Sequence, residues 1–147
     1  MSQIFDSGTC CHISPYYDAF SNILDISPWS LCAANKQSFS AVSKGDIVID
    51  ISNSSSILQL KLTEMLYLLE AGYILVSVGR LNKAGFITIF ANEKCVIHDL
   101  GGTWVTEIPC NSAGLYKLIK ETDNEGHIND VVESLTLDQI LVTLHLL

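Results

Sequence analysis

Positive charge is what this chain has least of. Its 147 residues carry 8 Lys and Arg against 16 Asp and Glu, a formal net charge of −8, and the basic residues form no cluster. A phosphate backbone finds little electrostatic support on such a surface, which argues against nucleic acid as a partner. Charge of either sign is scarce, at 16% of residues against about 25% in ordinary soluble domains, and mean hydropathy is +0.33. Little polar surface is left to cover the fold. We therefore expect apolar side chains to lie in an oligomer interface, and the segment to be cut from a larger polypeptide. Uninterrupted apolar runs are also missing. Asp, Glu, Lys, Asn or Gly breaks every candidate bilayer span, and the N-terminus lacks the charged-then-apolar layout of a signal peptide. An intracellular, cytoplasmic location without membrane contact is expected, with a nuclear one left open. The five cysteines (Cys10, Cys11, Cys32, Cys95 and Cys110) are odd in number and irregularly spaced, which reads as free thiols in a reducing compartment.

What is present is a β rhythm. The length suits one domain with a proper core. Short β-rich runs recur at residues 3–5, 47–51, 57–62, 73–78, 86–90, 95–98, 104–108 and 115–119, with about one turn signal per ten residues. Residues 47–51 and 57–62 flank a Ser/Asn-rich stretch and predict a hairpin with a polar tip. The nearly unbroken apolar run at 73–78 predicts a strand buried on both faces. Residues 10–28 read as mixed, with Ser14-Pro15 and Ser27-Pro28 as turns, and residues 81–85 as about one helical turn. The fold class is thus all-β, a closed barrel of short strands with one short helix. The barrel domain is expected at 1–120 and an acidic, turn-rich linker at 121–134. An amphipathic C-terminal helix follows at 135–147, opened by the capping box Thr136-Leu137-Asp138-Gln139.

Chemistry points first to Ile4-Phe5-Asp6-Ser7-Gly8-Thr9. Two apolar residues make a buried strand end and lead a carboxylate into a turn. There Ser7 can anchor the backbone and Gly8 lets another chain come close. Alone the triplet reads first as a surface Asx turn. A second element, Ile74-Leu75-Val76-Ser77-Val78-Gly79-Arg80, raises its weight. Cys10-Cys11-His12 and Cys95-Val96-Ile97-His98 contain zinc-ligand residue types. Vicinal cysteines on a strand point to opposite faces, however, and no second close pair completes four ligands, so neither metal nor cofactor is expected. His12 reads as packed or solvent-facing, Trp29 and Trp104 as core or dimer-interface residues, and no nucleophile-elbow glycine pattern supports a Ser-His-Asp site.

These motifs, in this order, resemble the protease segment of copia-type LTR-retrotransposon Gag-Pol polyproteins, particularly fungal ones. The resemblance spans roughly residues 4–119. It is carried by Phe5-Asp6-Ser7-Gly8-Thr9, His12-Ile13-Ser14-Pro15-Tyr16, Ala33-Ala34-Asn35-Lys36, Phe39-Ser40-Ala41 and Gly45-Asp46-Ile47. Further on it continues through Leu66-Tyr67, Val76-Ser77-Val78-Gly79-Arg80-Leu81, Ala84-Gly85-Phe86, Ile108-Pro109 and Ala113-Gly114-Leu115-Tyr116. It implies a retropepsin-like β-barrel, an aspartic endopeptidase working as a homodimer on a polypeptide substrate that includes its own polyprotein. Asp6 would be the catalytic residue, supported by Ser7, Gly8 and Thr9. Val78, Gly79 and Arg80 would brace the catalytic loop, and Ala34, Phe39 and Gly45 would fall in a flap over the substrate.

The chain departs from that pattern in several places. Cys10 stands where retroviral relatives place a carboxylate to pair with the Gly-Arg arginine, so Arg80 needs another partner. Thr9 replaces a small Ala, Ser43 replaces a common Gly, and little chain precedes Asp6. These departures motivate a second expectation from a different class: a domesticated, catalytically inactive barrel serving self-association or protein binding.

Overall fold

Alternation of apolar residues sets most of the architecture. In the computed structural model, residues 1–32, 38–52 and 57–118 are described. The expected linker, the C-terminal helix, Ala34 and the polar tip of the 47–62 hairpin lie outside them. Strands β1 (Gln3–Asp6), β2 (Ile13–Ser14), β3 (Ser21–Cys32), β4 (Ser38–Ser52), β5 (Ile57–Tyr67), β6 (Ile74–Ser77) and β10 (Lys117–Leu118) form a seven-stranded sheet. Its order is β10-β1-β6-β2-β5-β4-β3. Strands β7 (Ile87–Ala91), β8 (Lys94–His98) and β9 (Trp104–Pro109) form an antiparallel three-stranded sheet, and one six-residue helix, α1 (Val78–Lys83), joins the two. The all-β expectation holds. Among the described residues no helix is long and apolar enough to cross a membrane.

Strand β6 is buried along its whole length. Its alternate residues feed two cores. Ile74 and Val76 pack with Phe5, Ile47, Ile49 and Met65 on one side, while Leu75 packs with Ile4, Ile13 and Leu66 on the other. Each such side chain stabilises the fold by roughly 1.5–3 kcal/mol, so the middle of the large sheet is its most firmly held part. The hairpin expected at 47–62 is present and longer than expected. β4 and β5 pair from Lys44↔Leu66 to Ser52↔Ile57, and Ile47, Ile49 and Ile51 all turn inward. The β7–β8 turn has Asn92 and Glu93 both at positive φ (52° and 60°), the twist-matched geometry that suits a tight hairpin.

Three readings of the sequence are corrected. Ser27-Pro28 is not a turn, because β3 runs through it. The pairing of β3 with β4 shifts register between Asp25 and Trp29, and β3 is an edge strand, so Pro28 sits where a missing N–H is tolerated. The helix begins at Val78 rather than residue 81, since Ser77 caps it. Of the two alternatives for Trp29 and Trp104, the core one is corrected, since they are 50% and 39% exposed.

Candidate functional site

The site is built by a chain crossing. β1 runs parallel to β6, with Asp6 beside Ser77, and β2 runs antiparallel to β6 on its other side, with Ile13 beside Leu75. To pass from β1 to β2, residues 7–12 must cross over the carboxyl end of β6. A strand end beneath a loop leaves buried backbone groups that need partners. Ser77 supplies them. Its hydroxyl donates to the Thr9 carbonyl at 2.8 Å, and its backbone N–H donates to His12 Nδ1 at 2.9 Å. The same hydroxyl oxygen accepts the Arg80 N–H at 3.2 Å, which caps α1. One serine therefore ties together the Asp6 loop, the end of β6 and the start of the helix.

Asp6 sits at the end of β1, half-buried. Its Oδ1 accepts the Gly8 N–H at 2.7 Å, which fixes the carboxylate plane against the Asp6-Ser7-Gly8 turn. Its Oδ2 is buried with no hydrogen-bond partner among the described residues. A buried carboxylate oxygen left open is costly unless something else meets it. Asp6 and Ser7 line a cavity of about 490 Å³ whose other walls include Phe90, Leu115 and Tyr116. Phe90 and Tyr116 meet edge to face at 4.8 Å, and the Tyr116 carbonyl accepts the Phe5 N–H at 3.0 Å. Thr9 is buried, and its hydroxyl donates to the Cys11 carbonyl at 3.0 Å.

The residues after the turn form a second group. His12 is buried, and an accepting Nδ1 requires the neutral ring with its proton on Nε2. Burial, aided by the nearby Arg80 charge, lowers its pKa to about 4. Cys10 and Cys11 do not point apart as they would on a strand. They lie on a bend, with their Sγ atoms 3.5 Å apart, Cys10 exposed and Cys11 buried. Burial, the contact with Cys10 and its charge push the Cys11 thiol up to about 12. Among the described residues no group of three or more His, Cys, Asp or Glu side chains could hold a metal ion.

The structure brings Asp6, Ser7, Gly8 and Thr9 against the β6–α1 junction, where Val78 is buried, Gly79 exposed and Arg80 half-buried. Gly45 lies far along β4 from Phe39, near a register shift, and a Cβ there would come within 3.0 Å of the Ser21 carbonyl oxygen. Phe39 pairs with Leu31, near the Cys32↔Ser38 end of the β3–β4 pairing. Sequence reasoning missed Ser77 and His12 as clamps. The signal available for Ser77 was a helix-capping residue type three places before Arg80; the partner of His12, 65 residues away in sequence, left no local trace.

No curated protein matches this sequence. Residues 3–86, from β1 through α1 and so including the whole crossing, match the family described as Pol polyprotein, beta-barrel domain. That match covers more than half of the chain, and the protein belongs to the Pol polyprotein beta-barrel domain family.

Proposed function

We propose that this domain is the protease of a copia-type retrotransposon polyprotein, resembling fungal ones, and that it acts as an aspartic endopeptidase when two copies pair. The observation that supports this reading is Asp6 itself. One carboxylate oxygen is fixed by the Gly8 N–H, while the other is buried and unpartnered, on a loop clamped by Ser77. A merely structural Asx turn uses one oxygen, and burying the other without a partner is a cost that a dyad partner or a bound water would offset.

In the proposed dimer each chain lends one Asp6 across a two-fold axis. Two carboxyls a few ångströms apart share one proton, because ionising both is expensive. The ionised member takes a proton from a water held between them, and the resulting hydroxide attacks the scissile carbonyl carbon. The protonated member hydrogen-bonds the carbonyl oxygen as negative charge develops there. Collapse of the tetrahedral intermediate returns a proton to the leaving amine nitrogen and breaks the C–N bond. Gly8 leaves room for substrate backbone, and Ser7 stabilises the paired loops. A monomer holds half of this machinery and is inactive.

The test is cleavage of an unfolded polypeptide by the wild-type chain and by Asp6→Asn. We expect at least the 10²–10⁴-fold loss typical of removing a general acid–base group, and a wild-type specific activity that rises with protein concentration as dimer forms. Equal cleavage by the two proteins would show that Asp6 is not the catalytic residue.

A further inference from the structure

The chain has a single arginine, Arg80, and only 8 basic residues in all. Three of them, Lys61, Arg80 and Lys83, line one cavity of about 410 Å³ between β5 and α1. None of the described residues lining it is Asp or Glu. Exposed Lys61 reaches the largely buried Asp46 carboxylate at 3.5 Å, a long contact with one partner in solvent. Neither Arg80 nor Lys83 takes part in an ion pair among the described residues. In a protein of net charge −8, this is a local excess of positive charge, offset among the described residues only at Lys61 by Asp46.

We propose that this cavity receives the carboxylate side chains of an acidic stretch of polypeptide. On the protease reading given above, on which this substrate assignment rests, that stretch flanks the bond to be cut. Arg80 offers a planar fork suited to bidentate carboxylate binding, and it is half-buried, which raises the strength of each charge-assisted bond. Lys61 and Lys83 add point charges at the rim. Leu62, Leu81 and Phe86 give the cavity an apolar wall that suits the methylenes of a Glu and its neighbours better than a free inorganic anion. The cavity also touches Cys10 and His12, four and six residues beyond Asp6 on the same loop, so a peptide seated there lies along the chain that carries the proposed dyad.

The probe is a fluorescein-labelled peptide with the sequence of residues 121–133, which holds five carboxylates and no Lys or Arg. Binding is followed by anisotropy to the full chain carrying Asp6→Asn, so no turnover is needed. We expect saturable binding that weakens with salt. It should fall about tenfold or more in Arg80→Met, recover in part in Arg80→Lys, and fall severalfold in Lys83→Gln, whose exposed position leaves folding intact. A peptide with the five acids replaced by their amides should bind at least tenfold more weakly. Lys94→Met, on β8, should bind as the parent does. Equal binding of the neutral peptide, or no change in Lys83→Gln and a folded Arg80→Met, overturns the proposal. Displacement by inorganic phosphate as effective as by unlabelled peptide makes this a general anion site and overturns the polypeptide assignment. Binding without wild-type cleavage refutes the protease reading alone; cleavage without binding refutes the receptor alone.

Discussion

Replacing Ser77 by alanine tests how the Asp6 loop is held. The substitution removes one hydroxyl that makes two bonds, a donation to the Thr9 carbonyl at 2.8 Å and an acceptance from the Arg80 N–H at 3.2 Å. Thr9 is 3% exposed, so its carbonyl loses its donor where water cannot easily replace it, at about 1–3 kcal/mol. Loss of a helix N-cap to alanine adds about 0.5–2 kcal/mol. Because one atom serves both bonds the terms overlap, and we expect a total of about 2–4 kcal/mol. For a chain of this size that lowers Tm by roughly 5–12 °C. Urea unfolding should show a lower midpoint at unchanged m-value. Ser21→Ala is the control, since its hydroxyl makes only a 3.4 Å exposed bond to Asp46 and should change stability by less than about 0.5 kcal/mol. If Ser77→Ala is as mild as the control, the clamp does not hold the loop and the account of the crossing is wrong.

His12, with a folded-state pKa lowered to about 4 from 6.5, binds its proton more readily when unfolded. Its contribution of roughly 3 kcal/mol is therefore complete above pH 6.5 and is lost as pH falls toward 4; His12→Asn should flatten that part of the stability–pH curve, and an unchanged slope would refute the assignment. In the folded protein at pH 8, iodoacetamide should label exposed Cys10 and spare Cys11 and Cys95, whose burial raises them to about 12 and about 11. Mass spectrometry showing equal labelling of the three would contradict the structure. Gly45→Ala brings a Cβ within 3.0 Å of the Ser21 carbonyl and should lower the urea-unfolding free energy by about 1–3 kcal/mol. Leu75→Ala, at a fully buried position in β6, should lower it by about 2–5 kcal/mol.

The strands were legible wherever burial imposed a pattern. The period-two alternation of Ile47, Ile49 and Ile51 and the continuous apolar run at 74–76 each follow from which faces are covered. Legibility failed where tertiary context overrode a local signal. Pro28 looked like a turn because the sequence does not show that β3 is an edge with a register shift. Val78 looked like the last residue of a strand because β-branched residues favour strands, yet Ser77 starts a helix there. Trp29 and Trp104 read as core or dimer-interface residues, and their exposure removes the first of these alternatives. At the site, Asp6-Ser7-Gly8 was readable as a motif. The bonds that hold it were not, since Ser77 reaches Thr9 across 68 residues and His12 across 65.

Charge explains a further part of the molecule. Two of the three ion pairs among the described residues, Lys44–Glu64 and Lys94–Glu107, join neighbouring strands on exposed faces, where such pairs add about 0–1 kcal/mol. They leave the apolar cores to set stability. The third, Lys61–Asp46, lies at the proposed receptor beside the Asp6 loop, where Arg80 and Lys83 take part in no ion pair among the described residues.

The most direct measurement is the separation of the two Asp6 carboxyl groups across the two-fold axis of a dimer, in a crystal structure of the chain at concentrations where it self-associates. The dyad account predicts side-chain oxygens within about 2.5–3.0 Å of each other, the range of a shared-proton O–H···O contact, with Oδ2 of each Asp6 facing its mate. A protein that stays monomeric, or a dimer joined elsewhere that leaves the two Asp6 side chains apart, would contradict it.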